Sequence, residues 1–422
     1  MVPPLNTASP DPLPQAVDVL VIGAGPAGAT AAALLAEAGF SVLVLEKDHF
    51  PREKIGESLL PAVRPVLARL GIAERPDAFL FKRGARFVCE DTNREGIFAF
   101  ADALAGGANS AWHVDRALFD TILRDRAREL GAEVRHGWTV TDAGADRDHA
   151  WVETRTNGGA KVRVRGRYLI DSSGLSRLMA RRCDAVQPYE QFGHCSVYTH
   201  FRDADLDELR PDHDIRIMLR KEGWGWVIPL PGDRLSVGIV AARKIDRRVL
   251  DEGLLAGPLV RRLTSRATRL ETHTVGNFSF VNTAPSGPRF AATGDAACFI
   301  DPVFSSGVTL ALRGAVDLVD HLLPALREGR EADPTLLDEH LAGMRRACAT
   351  FAGLVERFYH TNFAESYFLG GDLGEDFRRG VMSVLAGDVW RTDNAFQEML
   401  LRARRRPAKG PSTASSASAP SN

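Results

Sequence analysis

Short apolar runs near the amino terminus flank a stretch that is rich in alanine and leucine. Residues 17–22 (VDVLVI) and 41–45 (SVLVL) have the composition of strands that are buried on both faces of a parallel sheet. The stretch between them, 26–38, favours a helix, and Gly39 predicts the turn that ends this helix. The pattern therefore predicts a strand–turn–helix–strand unit, which opens a doubly wound α/β sheet.

Downstream, apolar segments of strand and helix length continue along the chain. They are expected at 117–130 (helix), 133–135 (strand), 138–154 and 162–170 (hairpin strands), 215–219, 224–229, 235–240 and 290–293 (strands), 306–323 (helix) and 336–390 (amphipathic, helical). The strands between 186 and 280 follow one another closely, which is typical of an antiparallel sheet.

These elements predict an α/β protein in which a Rossmann-like cofactor domain is interrupted by an antiparallel-sheet substrate region and followed by a helical cap. The expected division is 1–16 (disordered), 17–185 (cofactor domain, first part), 186–285 (antiparallel sheet), 286–330 (cofactor domain, second part), 331–401 (helical cap) and 402–422 (disordered tail). We expect disorder at the two ends because polar, proline-rich and serine-rich sequence cannot bury enough apolar surface to fold.

The bulk composition is that of an ordinary globular protein. Of the 422 residues, 45% are hydrophobic and 25% are charged, and the formal net charge of -1 favours neither a nucleic acid nor a membrane surface as partner. The five cysteines never have Cys-x-x-Cys spacing, which argues against a zinc site or a disulfide framework. No apolar run reaches the roughly 18 residues that a membrane span requires. We therefore expect a cytoplasmic protein without a metal.

The glycines of Gly23-Ala24-Gly25-Pro26-Ala27-Gly28 predict a site for the pyrophosphate of a dinucleotide. The first glycine permits a tight turn, the second lets backbone N–H groups approach the phosphates, and the third lets the helix pack closely on the strand. Glu46 ends the second strand, where its carboxylate can accept hydrogen bonds from ribose hydroxyls. The candidate contacts are Gly23, Gly25, Ala27, Gly28 and Glu46.

A second motif indicates which dinucleotide binds. Gly294-Asp295-Ala296-Ala297 resembles the distant second fingerprint of FAD-binding proteins, in which the aspartate binds the ribityl chain. The alternative is a Gly-Asp turn that simply ends a strand. The resemblance also implies FAD contacts at Arg116 and Asp171, where this superfamily commonly holds the cofactor.

The segment Trp224-Gly225-Trp226-Val227-Ile228-Pro229 resembles the Trp-x-Trp-x-Ile-Pro signature of flavin-dependent halogenases. The alternative is a strand whose two tryptophans lie on one face and fill a core, and near relatives of the same fold carry similar segments. In a halogenase, Trp224 and Trp226 would wall a passage near the flavin and keep organic molecules away from it.

The sequence just before the long helix is a candidate halide site. In 299–308 (FIDPVFSSGV), Ser-Ser-Gly directly precedes a helix, whose first backbone N–H groups are free to hold an anion. Ser306 and Gly307 match the residues whose amides hold chloride in halogenases. The alternative is an ordinary N-cap, in which the side chain of Ser305 or Ser306 accepts hydrogen bonds from the helix.

Lys82 is the candidate catalytic residue. It follows 79–81 (FLF) and lies downstream of 56–61 (GESLLP), which resembles a family segment that lies beside the flavin. Halogenases of this type use such a lysine to hold hypochlorous acid, by a hydrogen bond or as a chloramine. Burial among apolar residues would lower the pKa of Lys82 and expose a nucleophilic amine, whereas the alternative is an ordinary surface cation.

The resemblance covers most of 17–320 and is close to bacterial flavin-dependent halogenases of phenol or pyrrole rings, whose fold is like that of para-hydroxybenzoate hydroxylase. It implies that FADH2 from a separate flavin reductase reacts with O2, and that the flavin hydroperoxide converts chloride or bromide into a hypohalous acid. The substrate would be an electron-rich aromatic ring, free or tethered to a carrier protein, in the biosynthesis of a secondary metabolite such as an antibiotic. Phe304 stands where tryptophan halogenases carry a glutamate, which argues against free tryptophan.

Two other classes of function stay open on the sequence alone. A FAD-dependent monooxygenase or a reductase of the geranylgeranyl-reductase type would share the glycine motifs. A non-catalytic flavin protein would need only the cofactor site. Lys82 and the Ser306-Gly307 segment argue against both classes.

Overall fold

The structure is a computed structural model, and it describes residues 12–156, 159, 161–189, 195–220, 223–241, 245–276, 279–371 and 374–404. Residues 1–11 and 405–422, which make up most of the two ends expected to be disordered, lie outside the described residues. The first strand begins at Ala16 and the last helix ends at Arg404, so both elements extend slightly into the expected ends.

The strands fall into several sheets. In chain order they are β1 (Ala16–Ile22), β2 (Val42–Glu46), β3 (Phe79–Lys82), β4 (Gly84–Cys89), β5 (Arg94–Ala99), β6 (Ala111–Val114), β7 (Glu133–His136), β8 (Trp138–Ala145), β9 (Ala150–Thr156), β10 (Val162–Asp171), β11 (Val186–Pro188), β12 (Cys195–Arg202), β13 (Ile215–Arg220), β14 (Gly223–Leu230), β15 (Arg234–Ala241), β16 (Thr268–Gly276), β17 (Phe280–Asn282), β18 (Ser286–Gly287), β19 (Phe290–Ala292) and β20 (Cys298–Phe299).

The α-helices are α1 (Pro26–Glu37), α2 (Arg64–Arg69), α3 (Arg116–Glu129), α4 (Leu178–Arg182), α5 (Pro258–Leu263), α6 (Ser306–Glu328), α7 (Asp338–His360), α8 (Glu375–Leu385) and α9 (Ala395–Arg404). The helix predicted from Ser306 is therefore longer than expected, and the helical region predicted at 336–390 contains the separate helices α7 and α8. Within the described part of the chain, no helix has both the length and the apolar character needed to cross a lipid bilayer.

The first sheet is the predicted Rossmann-like unit. Its strand order is β18-β19-β10-β1-β2-β7, and the strands from β19 to β7 run parallel. Apolar residues occupy both faces of β1 and β2, because α1 and α6 cover one face and the strands β8 and β9 cover the other. The hairpin predicted between 138–154 and 162–170 is present, because β9 and β10 pair antiparallel. The first segment is not one strand, however, but the further hairpin β8–β9, which turns where the Asp146 N–H donates to the His149 carbonyl.

The second sheet has the order β16-β12-β15-β14-β13-β4-β5. Its neighbours are antiparallel, except that β4 and β13 pair in parallel. The strands β4 and β5 precede the segment 186–285, to which the sequence assigned the whole sheet. A parallel pair needs a long connection between its strands, so local pattern gives no sign that β4 pairs with β13.

The carboxyl-terminal helices cover one face of the second sheet. Trp224 and Trp226 of β14 share a core with Phe351 and Phe358 of α7 and with residues of α8. Val227, which points to the opposite face of β14, packs with α5 instead. The two tryptophans therefore lie between the sheet and the helical region.

Candidate active site

The turn after β1 has the backbone that its glycines predict. Gly23 has φ +94°, and a Cβ at Gly28 would overlap the carbonyl oxygen of Gly23, so a larger residue is excluded at both positions. Gly25 is the N-cap of α1 and offers no side-chain acceptor, which leaves the first N–H groups of the helix available to an anion. Glu46 accepts from the N–H groups of Ala24 at 2.8 Å and Asp48 at 2.9 Å, and thereby fixes the turn.

Arg52 shows that this turn suits a pyrophosphate. Its Nη2 lies 3.6 Å from the point that a Cβ on Gly25 would occupy. Its Nε and Nη1 are buried and have no hydrogen-bond partner among the described residues, although Asp48 and Asp120 lie within ion-pair distance. The pyrophosphate of a dinucleotide, which carries two negative charges, would supply the missing acceptors over the glycine turn.

The second part of the predicted cofactor site lies at Asp295 and Arg116. Burial raises the pKa of Asp295 to about 6, against the attraction of Arg116 and Lys54. Arg116 is buried, forms a 2.8 Å ion pair with Asp120 and donates to the carbonyl oxygen of Ile55. The two predicted residues are thus electrostatic neighbours, which fits a common role in holding one cofactor.

Asp171 lies at the end of β10, and its carboxylate accepts hydrogen bonds from backbone N–H groups of the residues that follow. Oδ1 accepts the N–H of Ser173 at 3.0 Å, and Oδ2 accepts the N–H of Met179 at 2.8 Å. Asp171 therefore shapes the loop that approaches Gly23, and its predicted contact with FAD stays a prediction. The same holds for Ala27, which is buried in α1.

Lys82 is buried rather than exposed, so its interpretation as a surface cation is wrong. It is 1% exposed, and its Nζ donates to the Oγ of Ser58 at 2.6 Å. Burial lowers the pKa of Lys82 to about 7, while Asp214 acts in the opposite direction. The Nζ also lies 5.2 Å from the centre of the Phe100 ring. An amine in this setting is close to half neutral near neutral pH.

A buried histidine lies on the same face as Lys82. β3 pairs with β6, and Leu80 is opposite His113, so the side chains of Lys82 and His113 point to one side of this ribbon. The Nε2 of His113 donates to the carbonyl oxygen of His213 at 2.7 Å, and its Nδ1 is buried without a hydrogen-bond partner among the described residues. Burial, followed by Lys82, keeps the pKa of His113 well below its usual value.

The turn before α6 leaves the helix start uncapped. Ser305 is the N-cap of α6, has φ 56°, and makes no side-chain hydrogen bond to the helix. Ser306, the first residue of α6, is buried. The expectation that a serine side chain caps the helix is therefore not met at Ser305. The N–H groups of the first turn remain without an acceptor from that side chain, as an anion site requires.

Lys82 and the turn before α6 line the same cavity. Its walls come from β3, β4, β5, β13, α8 and the turn, and the lining residues are Lys82, Ala85, Phe98, Phe100, Ile215, Ile217, Val303, Phe304, Ser305, Met382 and Leu385. The cavity measures about 20 Å³, which is room for about one water molecule. A cavity of this size is too small for an aromatic ring.

Trp224 and Trp226 are packed in the core, as expected for a strand whose two tryptophans lie on one face and fill a core. They are 2% and 5% exposed, and their ring centres lie 5.9 Å apart. Each indole N–H has a partner: Trp224 donates to the Tyr359 hydroxyl at 2.7 Å, and Trp226 donates to the Ser236 hydroxyl at 3.1 Å. Their role as walls of a passage stays a prediction.

Sequence reasoning missed Arg52, Ser58, His113 and Tyr359. Ser58 lies inside 56–61, a segment that the resemblance places beside the flavin, but the sequence gives no sign of its contact with Lys82. Arg52 lies in the loop after β2, six residues beyond Glu46, and a cation in such a loop is a usable signal for a phosphate contact. The other two residues carry no local pattern that separates them from core positions.

The Rossmann-like sheet, the glycine turn and the distant Asp295 together define a protein of the FAD-binding oxidoreductase class. Residues 18–107 and 99–369 match the tryptophan halogenase family, and the chain belongs to this family. Its predicted identity as a flavin-dependent halogenase is thereby confirmed at the level of the family, as are the α/β fold class and the enzyme class.

Known relatives resemble the chain over most of its length. The tryptophan 2-halogenase of Chondromyces crocatus is 31% identical over 318 residues, which are 72% of this chain and only 60% of that protein. The 1H-pyrrole-2-carbonyl peptidyl-carrier-protein chlorinase of Pseudomonas fluorescens is 28% identical over 415 residues, or 88% of this chain and 89% of that protein. The crystal structure of a flavoprotein/dehydrogenase from Cytophaga hutchinsonii is 30% identical, has a TM-score of 0.82, and is matched over 91% of this chain and 96% of its own.

Proposed function

We propose that this protein uses reduced FAD, O2 and chloride or bromide to halogenate an electron-rich aromatic ring. One observation carries the proposal: the buried amine of Lys82 and the turn that leads into Ser306 and Gly307 line the same apolar cavity. A halogenase needs an anion site and a lysine close together, whereas a monooxygenase or a reductase of this fold has no use for either. Membership of the halogenase family supports the proposal.

The cofactor would be held by the glycine turn and by the charged residues around it. Gly23, Gly25 and Gly28 bring backbone N–H groups to the pyrophosphate, and Arg52 adds its unsatisfied guanidinium nitrogens. In this proposal, Glu46 would accept hydrogen bonds from the ribose, Asp295 would bind the ribityl chain, and Arg116, its electrostatic neighbour, would contact FAD. Reduced FAD, delivered by a separate flavin reductase, supplies with O2 the oxidising equivalents that turn a halide into a hypohalous acid.

The halide would be held at the start of α6. The N–H groups of Ser306 and Gly307 belong to the first turn of this helix, where the helix dipole places partial positive charge. The side chain of Ser305 makes no hydrogen bond to the helix that would compete with an anion. In this proposal, Trp224 and Trp226 keep organic molecules away from the region where the halide is oxidised.

Lys82 would take the halogen from the hypohalous acid to the ring. The neutral amine can attack the halogen, which forms an N–halogen bond and releases the oxygen as water with one proton from the amine. The protonated amine can instead donate a hydrogen bond to the oxygen of the acid and so polarise it. With a pKa of about 7, Lys82 has both forms available, and its hydrogen bond to Ser58 fixes the position of the nitrogen.

The substrate would be a phenol or a pyrrole, free or tethered to a carrier protein. The cavity is lined by aromatic and aliphatic side chains and contains Phe304 in place of an acid. Without a carboxylate to stabilise a ring cation, the ring itself must supply electron density, as phenols and pyrroles do. The pyrrole chlorinase from Pseudomonas fluorescens is named for a carrier-bound ring, which supports testing tethered substrates here.

Purified protein with reduced FAD, O2, a halide and a phenol probe tests the proposal. We expect a halogenated product that disappears in Lys82→Ala while oxidation of the flavin continues, and the exposed Lys161→Ala serves as the matched control. A trap for released hypohalous acid, run alongside, covers the case of a substrate that must be tethered. A hydroxylated product that does not depend on halide would instead indicate a monooxygenase, and no turnover of any kind would indicate a non-catalytic flavin protein.

A further inference from the structure

A series of hydrogen bonds connects the tryptophan segment with the turn before α6. The indole N–H of Trp224 donates to the Tyr359 hydroxyl at 2.7 Å, and this hydroxyl donates to Oδ2 of Asp301 at 3.1 Å. Oδ1 of Asp301 in turn accepts the N–H of Val303 at 2.9 Å. Trp224 and Asp301 are fully buried and Tyr359 is partly buried. Side chains from β14 and α7 thus determine the orientation of one carboxylate in the turn.

Asp301 also fixes the conformation of the backbone that leads to the proposed halide site. It is the N-cap of the 3-10 turn Pro302–Phe304, and the N–H of Ser305 donates to the carbonyl oxygen of Pro302 at 3.0 Å. Ser305 then adopts the left-handed conformation, with φ 56°, and directs the chain into α6. A serine holds this unfavourable conformation only if the surrounding contacts impose it.

We propose that Tyr359 and Asp301 are positioning residues for the halide, because they hold the turn in the one conformation that aims the N–H groups of Ser306 and Gly307 at the anion. The inference rests on the proposed function of that site. Trp224 contributes through its N–H, which occupies a lone pair of the Tyr359 oxygen and leaves the hydroxyl proton to Asp301. None of the three side chains reacts, so their loss should weaken halide binding more than it slows the later chemistry.

Tyr359→Phe is the variant that isolates this effect. It keeps the aromatic ring in the core and removes only the hydroxyl that joins Trp224 to Asp301. Tyr367→Phe is the matched control, because Tyr367 lies in the same aromatic core and its buried hydroxyl has no hydrogen-bond partner among the described residues. Both variants lose one oxygen atom from the same core, and only the first one loosens the turn.

Substitutions at Asp301 separate the hydrogen bonds from the charge. An asparagine at this position keeps an oxygen for the N–H of Val303, and its amide N–H can donate to the Tyr359 oxygen, so Asp301→Asn should retain the turn. Asp301→Ala removes both contacts. If Asp301→Ala does not fold, Tyr359→Phe still decides the question, because its KM and dissociation constant for halide can be compared directly with those of Tyr367→Phe.

The readouts are the KM for bromide and chloride, kcat at saturating halide, and calorimetric titration of the FAD-loaded protein with bromide. For Tyr359→Phe we expect the KM and the dissociation constant for halide to rise about tenfold, equivalent to about 1.4 kcal/mol, with kcat changed by less than about twofold. Tyr367→Phe and Asp301→Asn should stay within about twofold of the wild type. Equal halide constants in Tyr359→Phe and Tyr367→Phe would overturn the positioning role alone. A wild-type protein without halide-dependent product would overturn the proposed function itself.

Discussion

Replacing Lys82 by methionine tests whether the buried amine is as strongly desolvated as its position indicates. Burial lowers the pKa of Lys82 from 10.5 to about 7. The difference, about 3.5 pH units at about 1.36 kcal/mol each, amounts to about 5 kcal/mol of unfavourable free energy for the charged form in the folded protein. Methionine has a similar length and no charge, so it removes this cost. It also removes the hydrogen bond to Ser58, and this loss lowers the free energy of unfolding of the variant by about 1 kcal/mol.

The cost depends on pH in a defined direction. Below about pH 7, Lys82 is protonated in the folded and the unfolded state, and the full cost is present. Between about pH 7 and 10.5 only the unfolded state binds this proton, so the contribution of Lys82 to the free energy of unfolding rises by about 1.36 kcal/mol per pH unit. Above 10.5 the amine is neutral in both states and the contribution is constant.

Urea unfolding of the wild type and Lys82→Met at several pH values measures this contribution. Near pH 7 we expect the variant to be more stable by about 3–4 kcal/mol, and the difference should shrink as the pH rises. Titrating groups that do not interact with Lys82 are common to both proteins and cancel in the difference, whereas the pKa values of His113 and Asp214, which Lys82 lowers, change with the substitution. Lys161→Met, at an exposed lysine, is the control for the substitution itself. A constant difference between wild type and Lys82→Met across this pH range would refute the desolvation of Lys82.

Three further substitutions test the rest of the site. Ser58→Ala removes the acceptor that holds the Lys82 amine, so halogenation should slow about tenfold with flavin oxidation unchanged; an equal loss in both rates would contradict this role. Arg52→Ala should raise the dissociation constant for FAD about tenfold in a fluorescence titration, whereas the exposed Arg83→Ala should not, and an unchanged FAD affinity would remove Arg52 from the cofactor site. Trp226→Ala should increase released peroxide or substrate hydroxylation if this residue walls a passage, and the absence of any increase counts against that role.

The cofactor half of the protein could be predicted because its signals are local. β1 and β2 are continuous apolar runs, and the glycines between β1 and α1 have backbone conformations or close contacts that exclude larger residues. These features depend on neighbours in the sequence, so the pattern alone specified them. The hairpin at 138–154 was missed because its turn residues, Asp146 and His149, lie in an ordinary polar stretch.

Around Lys82 the hydrophobic pattern predicts the wrong residue to be buried. Phe81 is 43% exposed and Lys82 is 1% exposed, which reverses the burial that their side chains favour in isolation. Strand alternation requires that one of the two faces the cavity, and in this protein it is the lysine. Such a reversal is costly for stability and is expected at sites that are kept for function. Resemblance to the family indicated this residue, whereas hydropathy could not.

The tryptophan segment shows why a motif can be recognised before its role can be derived. The core interpretation of Trp224 and Trp226 is correct as far as packing goes, because both rings are buried between β14 and the carboxyl-terminal helices. A phenylalanine could also fill this core, but its side chain has no N–H group that can donate a hydrogen bond. In the structure, the N–H of Trp224 has its partner on α7 and, through Tyr359, a connection to the turn that begins the proposed halide site. These contacts join residues that are far apart in the sequence, so the chemical reason for tryptophan at this position is visible only in the fold.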